Sequence, residues 1–308
     1  MTTGSAAADH RLTLADGRTL AYTDTGDPQG YPLVFAHGMP GSRLEGRLFD
    51  EQARRYGFRI LAPDRPGIGG STYQPGRRLL DYPDDVRQLL DALGLNRFTH
   101  LGWSSGGSRT VACAYALADR MDRGLCLSGY THFAEFPGRQ TLIEGTRWPG
   151  PRLASLSPTL VRWAVRLIVR LSRWYPGIYL REAQQLVSDD DRRILALPGV
   201  EAAFREDQRL CLASGGNAIA TDLLTELGHW GFSLDRVPAP IEVYQGEDDP
   251  FVSPDYARHL AGALPQARLT LLPGIGHLYP LDPAFQARLF ASLNQALQRE
   301  RAPVVQNF

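Results

Sequence analysis

Apolar and polar residues alternate on both sides of Asp16-Gly17, in Arg11-Leu-Thr-Leu-Ala15 before it and Arg18-Thr-Leu-Ala-Tyr-Thr23 after it. Alternation with period two around a turn dipeptide predicts an opening β-hairpin. The pattern then changes to short apolar runs at about 32–36, 58–62, 97–101, 124–128, 240–245 and 268–272. Runs of that length, bounded by Gly and Pro, predict strands. Helical patterns lie between and after them at about 46–56, 80–93, 105–119, 254–263 and 283–298. The last opens on Asp282-Pro283, an N-cap and first-turn pair.

Residues 131–235 break the rhythm. About 100 residues is far too long for one strand-to-strand connection. Helical patterns recur there at 158–175, 179–187, 189–196, 199–213 and 217–228, separated by Pro or Gly. The chain therefore divides into a core of 1–130 and 236–308 and an inserted helical segment of 131–235.

At 97–119 the apolar run Phe98-Thr-His-Leu101 enters Gly102-Trp103-Ser104-Ser105-Gly106, and an Ala-rich helical stretch follows. G-x-S-x-G is a weak signal alone, but between a strand and a helix it describes a serine on a sharp turn. Gly102 and Gly106 stand where a side chain would strike the neighbouring strand or helix. The helix N-terminus then points its free N–H groups at Ser104, which favours negative charge there. A serine hydroxyl is a poor nucleophile without a base and without donors for the charge it creates. Among seven His, His277 follows a strand that breaks at Pro273-Gly274. The strand at 240–245 ends in Gly246-Glu-Asp-Asp249, which offers Asp249 as the orienting acid with Asp248 as its rival. Ser104, Asp249 and His277 follow the chain order nucleophile, acid, base. The oxyanion donors are assigned to the backbone N–H groups of Met39, in the Gly-rich turn after strand 32–36, and of Ser105.

This assembly resembles the α/β-hydrolase family. His37-Gly-Met-Pro-Gly-Ser42 looks like its oxyanion loop, and Ala62-Pro-Asp-Arg-Pro-Gly-Ile-Gly-Gly-Ser71 like the loop after the next strand. The resemblance implies an α/β fold: a mostly parallel sheet of about eight strands flanked by helices, with residues 131–235 as an all-helical cap over the serine. It implies a serine hydrolase acting on an apolar ester, thioester, lactone or amide through an acyl-enzyme, with no metal or organic cofactor. His37, Trp103, His229 and Trp230 are the candidates for the substrate pocket, and His37 also for support of the oxyanion loop. Epoxide hydrolases and haloalkane dehalogenases of this fold carry Asp at the elbow, where this chain has Ser104. Two other readings use the same residues: a biosynthetic C–C hydrolase, lyase or cyclase, and an inactive receptor that binds a ligand in the pocket.

Composition narrows this further. The chain has 308 residues with 33 basic and 33 acidic side chains. Zero net charge gives no basic excess for a nucleic-acid partner. Every basic residue is Arg, so Schiff-base and Ser-Lys mechanisms are excluded. Three Cys without a C-x-x-C read as core residues in a reducing, cytoplasmic setting. The N-terminus has no signal-peptide pattern, and the apolar stretch 158–171 carries three Arg, against a membrane span. The inserted segment is electrically split: 139–181 holds eight Arg against one Glu, and 182–235 four Arg against ten acids. Arg162, Arg166, Arg170 and Arg173 form one helical stripe beside a wide apolar face. That stripe offers an anion-docking face for an acyl carrier protein, as in carrier-protein methyl ester esterases, which share the Gly-Trp-Ser-x-Gly-Gly form. The apolar face offers contact with the substrate cavity or with a second copy in a homodimer.

Overall fold

The computed structural model describes residues 9–138, 157–174 and 187–301. Eight strands form one sheet: β1 Asp9–Thr13, β2 Thr19–Gly26, β3 Tyr31–Ala36, β4 Phe58–Pro63, β5 Phe98–Trp103, β6 Met121–Leu127, β7 Ile241–Gly246 and β8 Ala267–Leu272. Their order across the sheet is β1-β2-β4-β3-β5-β6-β7-β8. The first two contacts, β1 with β2 and β2 with β4, are antiparallel, and all later ones are parallel. The hairpin at Asp16-Gly17 closes by Leu14 N–H donating to Arg18 O at 2.8 Å, with Gly17 at φ +82°.

Every residue of β5 is buried, as expected of a central parallel strand covered on both faces. One face is covered by α1 Asp50–Tyr56 and α9 Pro283–Arg301: Ala53, Phe285, Phe290 and Leu293, with Phe49 just before α1, pack with Leu33 and Phe35 of β3. The other is covered by α2 Asp81–Ala92, α3 Gly106–Ala116 and α8 Pro254–Ala263. The helix expected at 46–56 is split, a 3-10 turn over Arg43–Phe49 followed by α1. Ser42 caps that turn with its side chain, so helical geometry starts earlier and tighter than the hydrophobic spacing alone indicates.

Between β6 and β7 lie α4 Pro158–Trp174, α5 Asp189–Leu195, α6 Val200–Ala213 and α7 Gly216–Leu227. All but the last residue of the helix expected at 179–187, and Arg139, Arg147, Arg152 and Arg181, lie outside the described residues. Val161, Val165 and Val169 of α4 join Cys211, Ile219 and Leu223 in an apolar cluster with Ile68, and Met39 packs against it. These helices thus rest on the loops after β3 and β4. The close packing of α4 on α7 has a local cause: a Cβ on Gly216 would lie 2.7 Å from Arg166 Cα. On the opposite side of α4, Leu160, Trp163, Leu167, Ile168, Leu171 and Trp174 are exposed, and so are its four Arg.

Candidate active site

Ser104 sits between the end of β5 and the start of α3 with φ at +54°. That left-handed conformation costs of order 1–3 kcal/mol in a non-Gly residue and persists only where the surroundings dictate it. The surroundings are tight. A Cβ on Gly102 would lie 2.1 Å from Gly106 O, and one on Gly106 would lie 2.0 Å from Ala36 O. Both glycines are therefore obligatory for the turn, as the sequence pattern indicated. Ser104 N–H donates to Leu127 O at 2.8 Å, and Ser104 O accepts from Gly107 N–H at 2.9 Å. The carbonyl and N–H of a trans peptide point in opposite directions. With Ser104 O turned into the helix, the Ser105 N–H is directed away from it.

His277 and Asp249 come from the loops after β8 and β7 and meet: Nδ1 of His277 is 2.7 Å from Asp249 Oδ2. The other oxygen of Asp249 accepts from the N–H groups of Phe251 and Val252, both at 2.9 Å, and Oδ2 also accepts from Gln245 Nε2 at 3.1 Å. Burial alone would raise the Asp249 pKa, but the neighbouring His277 and these N–H donors outweigh it and hold it below the usual carboxylate value. Burial would likewise depress the His277 pKa, and Asp249 outweighs that, so the imidazole titrates above its ordinary value. Asp248 is exposed and makes no such contact. Trp103 is buried beside this pair: its indole N–H donates to His277 O at 3.2 Å and its ring lies 5.8 Å from the imidazole. On the other side Phe251, 40% exposed, meets the imidazole edge-on at 5.3 Å. The loop that carries His277 is also tied to the inserted helices, because Asp191 of α5 accepts Leu278 N–H at 2.6 Å.

The loop His37–Ser42 passes over Ser104: a Cβ on Gly38 would lie 3.6 Å from Ser104 Cβ. His37 is fully buried; its Nε2 accepts Arg65 N–H at 3.2 Å, so Nδ1 carries the proton and donates to Gly38 O at 2.9 Å. Burial, with Arg65 nearby, pushes its pKa well down and keeps the ring neutral. Gly38 N–H donates to Glu45 at 2.7 Å, and Ser42 N–H donates to Asp207 of α6 at 2.9 Å. Glu45 and Asp207 are buried together; burial and mutual repulsion raise the Glu45 pKa, and burial carries that of Asp207 to about 7. Among the described residues no other backbone group engages the N–H of Met39 or of Ser105.

The remaining pocket candidates group around His132. Trp230 is buried in the core cluster, stacked on His132 at 4.9 Å, with its indole N–H on Glu226 O at 3.0 Å. His229 is exposed, edge-on to His132 at 4.8 Å. His132, Glu135 and His229 bring ligand atoms within 4.8 Å of one another, a spacing that a metal could use. The tautomers oppose it. His132 Nε2 accepts Trp230 N–H and His229 Nδ1 accepts Gly231 N–H, both at 2.9 Å. The proton of His132 is left on Nδ1, which lies 3.1 Å from Glu135. A carboxylate flanked by neutral imidazoles fits these bonds better than a cation does.

One group of residues carries no motif that marks it in the sequence. Asp222 of α7 lies between Arg65, Arg77 and Arg109, at 2.9, 2.7 and 3.0 Å, with all four side chains buried. Arg109 and the Ser105 hydroxyl both bond Glu226, one turn further along α7. The available signal was Asp222 and Glu226 at i and i+4 in a helix that is otherwise mostly apolar.

The profile of the alpha/beta hydrolase fold family matches residues 31–284, and the chain belongs to that family. Among curated relatives it is 32% identical to the soluble epoxide hydrolase of Corynebacterium sp. (strain C12) over 77% of this chain and 80% of that one. It is 39% identical to the non-heme chloroperoxidase of Streptomyces lividans, but over only 32% of this chain and 37% of that one. Among solved structures, a thermophilic esterase from Thermogutta terrifontis superposes with a TM-score of 0.68 at 22% identity, covering 95% of this chain and 99% of that one. Among the described residues no helix is long and apolar enough to cross a membrane.

Proposed function

We propose that this hydrolase works by acyl transfer, with Ser104 as nucleophile, His277 as base and Asp249 as the group that orients it. The reading rests on one observation above all: two separate loops bring a hydrogen-bonded carboxylate–imidazole pair against Trp103, the neighbour of a strained serine at a helix N-terminus. His277 Nε2 takes the Ser104 proton as Oγ attacks a carbonyl carbon. The Met39 and Ser105 N–H groups stabilise the oxyanion, and the helix end adds to the field. His277 then protonates the leaving group, and a water activated by the same ring releases the acyl-enzyme. Ser104 stands where an epoxide hydrolase would carry Asp, so the covalent intermediate is an ester of serine. The helices α4 to α7 act as the cap. Their apolar cluster with Ile68 and Met39 favours an apolar ester, thioester, lactone or amide. A reducing, cytoplasmic setting suits the three buried free thiols.

A fluorophosphonate probe tests this reading. It is expected to label one residue, mapped by peptide mass to Ser104; absence of labelling would favour a ligand-binding receptor. A series of p-nitrophenyl esters should then turn over with a preference for apolar chains. Labelling without turnover of any ester would point instead to a C–C hydrolase, lyase or cyclase. The raised His277 pKa adds a pH expectation. The ring must be neutral to accept a proton, so kcat/KM should fall on the acid side along a single titration whose midpoint lies above the ordinary imidazole value of about 6.5. A midpoint below that value would remove His277 from the role.

The exposed Arg162, Arg166, Arg170 and Arg173, flanking an exposed apolar stripe, support a second element: delivery of the acyl group by an acidic acyl carrier protein docked on α4. A second copy of this chain is the alternative occupant. Arg166→Glu with Arg170→Glu should weaken turnover of carrier-bound substrate at least tenfold and spare free esters, an effect in proportion to lost interfacial charge. Equal loss on both substrates, or a shift in oligomeric state alone, would remove the carrier.

A further inference from the structure

We propose that Asp222, carried by the inserted helix α7, is a positioning residue for the oxyanion hole: it holds Arg65, and Arg65 holds the Gly38–Met39 peptide with its N–H turned toward Ser104. This rests on the acyl-transfer reading above and names what keeps one of its two donors in place.

The geometry runs through a single guanidinium. Arg65 Nη1 donates to His37 O at 2.6 Å and Nη2 to Gly38 O at 2.8 Å, while Nε donates to Asp222 Oδ2 at 2.9 Å. Two sides of the planar fork thus grip consecutive carbonyls of the loop, and the third is fixed by the cap helix. Gly38 O belongs to the same peptide as the Met39 N–H. Drawing the carbonyl toward Arg65 sends that N–H to the other side of the loop. Gly38 presents its Cβ position to Ser104, so the loop runs directly over the nucleophile. A flip of this peptide would put an oxygen where the oxyanion is to form.

Asp222 is the part of this arrangement that α7 supplies. Arg65 is 2% exposed and its guanidinium has no other carboxylate partner among the described residues. With α7 unseated, a buried cation would be left facing two carbonyls and no anion, a strongly unfavourable state. Burial opposes the charge on Asp222, but Arg77, Arg65 and Arg109 together outweigh it and keep the carboxylate ionised far below the ordinary range. The same helix reaches the second donor. Arg109 bonds Glu226 and donates to Ser105 O at 3.1 Å and Ser108 Oγ at 2.9 Å, and the Ser105 hydroxyl also bonds Glu226. Both walls of the hole are therefore braced by carboxylates one turn apart on α7.

A role confined to stability makes a different prediction, and Arg77 separates the two. Arg77 bonds Asp222 at 2.7 Å and Ala218 O at 3.0 Å and makes no hydrogen bond to the loop. Kinetics with a p-nitrophenyl ester, and affinity for a trifluoromethyl ketone whose adduct places an oxyanion in the hole, are measured for wild type, Asp222→Asn, Arg65→Gln and Arg77→Gln. Asp222→Asn and Arg65→Gln should lose roughly 10²-fold in kcat, the lower end of the effect of losing an oxyanion donor, because His37 still holds Gly38 O. KM should stay within about threefold, and ketone affinity should fall in parallel with kcat. Arg77→Gln should lower the thermal midpoint as Arg65→Gln does, yet keep kcat within about threefold of wild type. Equal kcat losses in Arg65→Gln and Arg77→Gln overturn the proposal, as does an Arg65→Gln enzyme with undiminished kcat. Should Asp222→Asn fail to fold, the Arg65 and Arg77 pair decides the matter alone. Fluorophosphonate labelling of wild type keeps the two readings apart: no labelling removes acyl transfer and this proposal with it, whereas labelling with a fully active Arg65→Gln removes this proposal only.

Discussion

Ser104→Ala is expected to abolish fluorophosphonate labelling and to lower kcat on a p-nitrophenyl ester by roughly 10⁶-fold, while the fold persists. The size follows from what is removed. In the acyl-transfer reading proposed above Ser104 forms the acyl-enzyme, so its loss would leave only water attack aided by the two N–H donors and by binding. That remnant is expected at roughly 10³–10⁴ over the uncatalysed reaction, because the donors belong to the backbone and survive the substitution. Ala also relieves nothing at φ +54°, since it carries the same Cβ as Ser. Thermal stability should therefore change little. Retention of more than about a hundredth of wild-type kcat, in protein free of a contaminating esterase, would mean that another residue carries the reaction.

Asp249→Asn is expected to cost about 10⁴-fold in kcat, with Asp248→Asn nearly silent. The size of the expected effect follows from the hydrogen bonds of Asp249. Asp249 Oδ1 accepts two backbone N–H groups, from Phe251 and Val252. In the Asp249→Asn variant the amide oxygen must take that place, because an NH₂ group there would face two donors. The NH₂ is then turned to His277 Nδ1 and meets Gln245 Nε2 as well. The imidazole is left to accept at Nδ1 and to carry its proton on Nε2, the nitrogen to which the proposed mechanism gives the proton of Ser104. The exposed Asp248 has no part in this and serves as the internal control. The check is kcat for both variants beside the acid limb of the pH profile. Comparable losses in the two would reassign the acid.

Much of the fold was legible because its signals are local. The alternation around Asp16-Gly17, the short apolar runs and the Pro and Gly boundaries each report a strand or helix from adjacent residues. Gly102 and Gly106 could be read as obligatory because a turn that tight leaves no room for Cβ. Asp249 and His277 were legible as residues of the loops that follow two strands, and the fold joins them at 2.7 Å. Trp230 was not legible. An aromatic in a Gly-flanked stretch carries no mark of which way it faces, and packing against His132 and Phe232 sends it into the core. The outer face of α4 is a different case. Its apolar stripe implies a covering neighbour, and within the single chain Trp163 and Trp174 are 67% and 64% exposed.

The sequence by itself determined the order of elements, the serine on its strained turn and the two loops that end in Asp249 and His277, because each of these is written in residues a few positions apart. Tertiary structure alone decided which buried charges face one another. Asp222 meets Arg65 across 157 positions and Asp207 meets Ser42 across 165. No periodicity encodes such a pairing. It exists because the inserted helices fold back onto the loops after β3 and β4, where a charge removed from water persists only beside its opposite or with its proton shared.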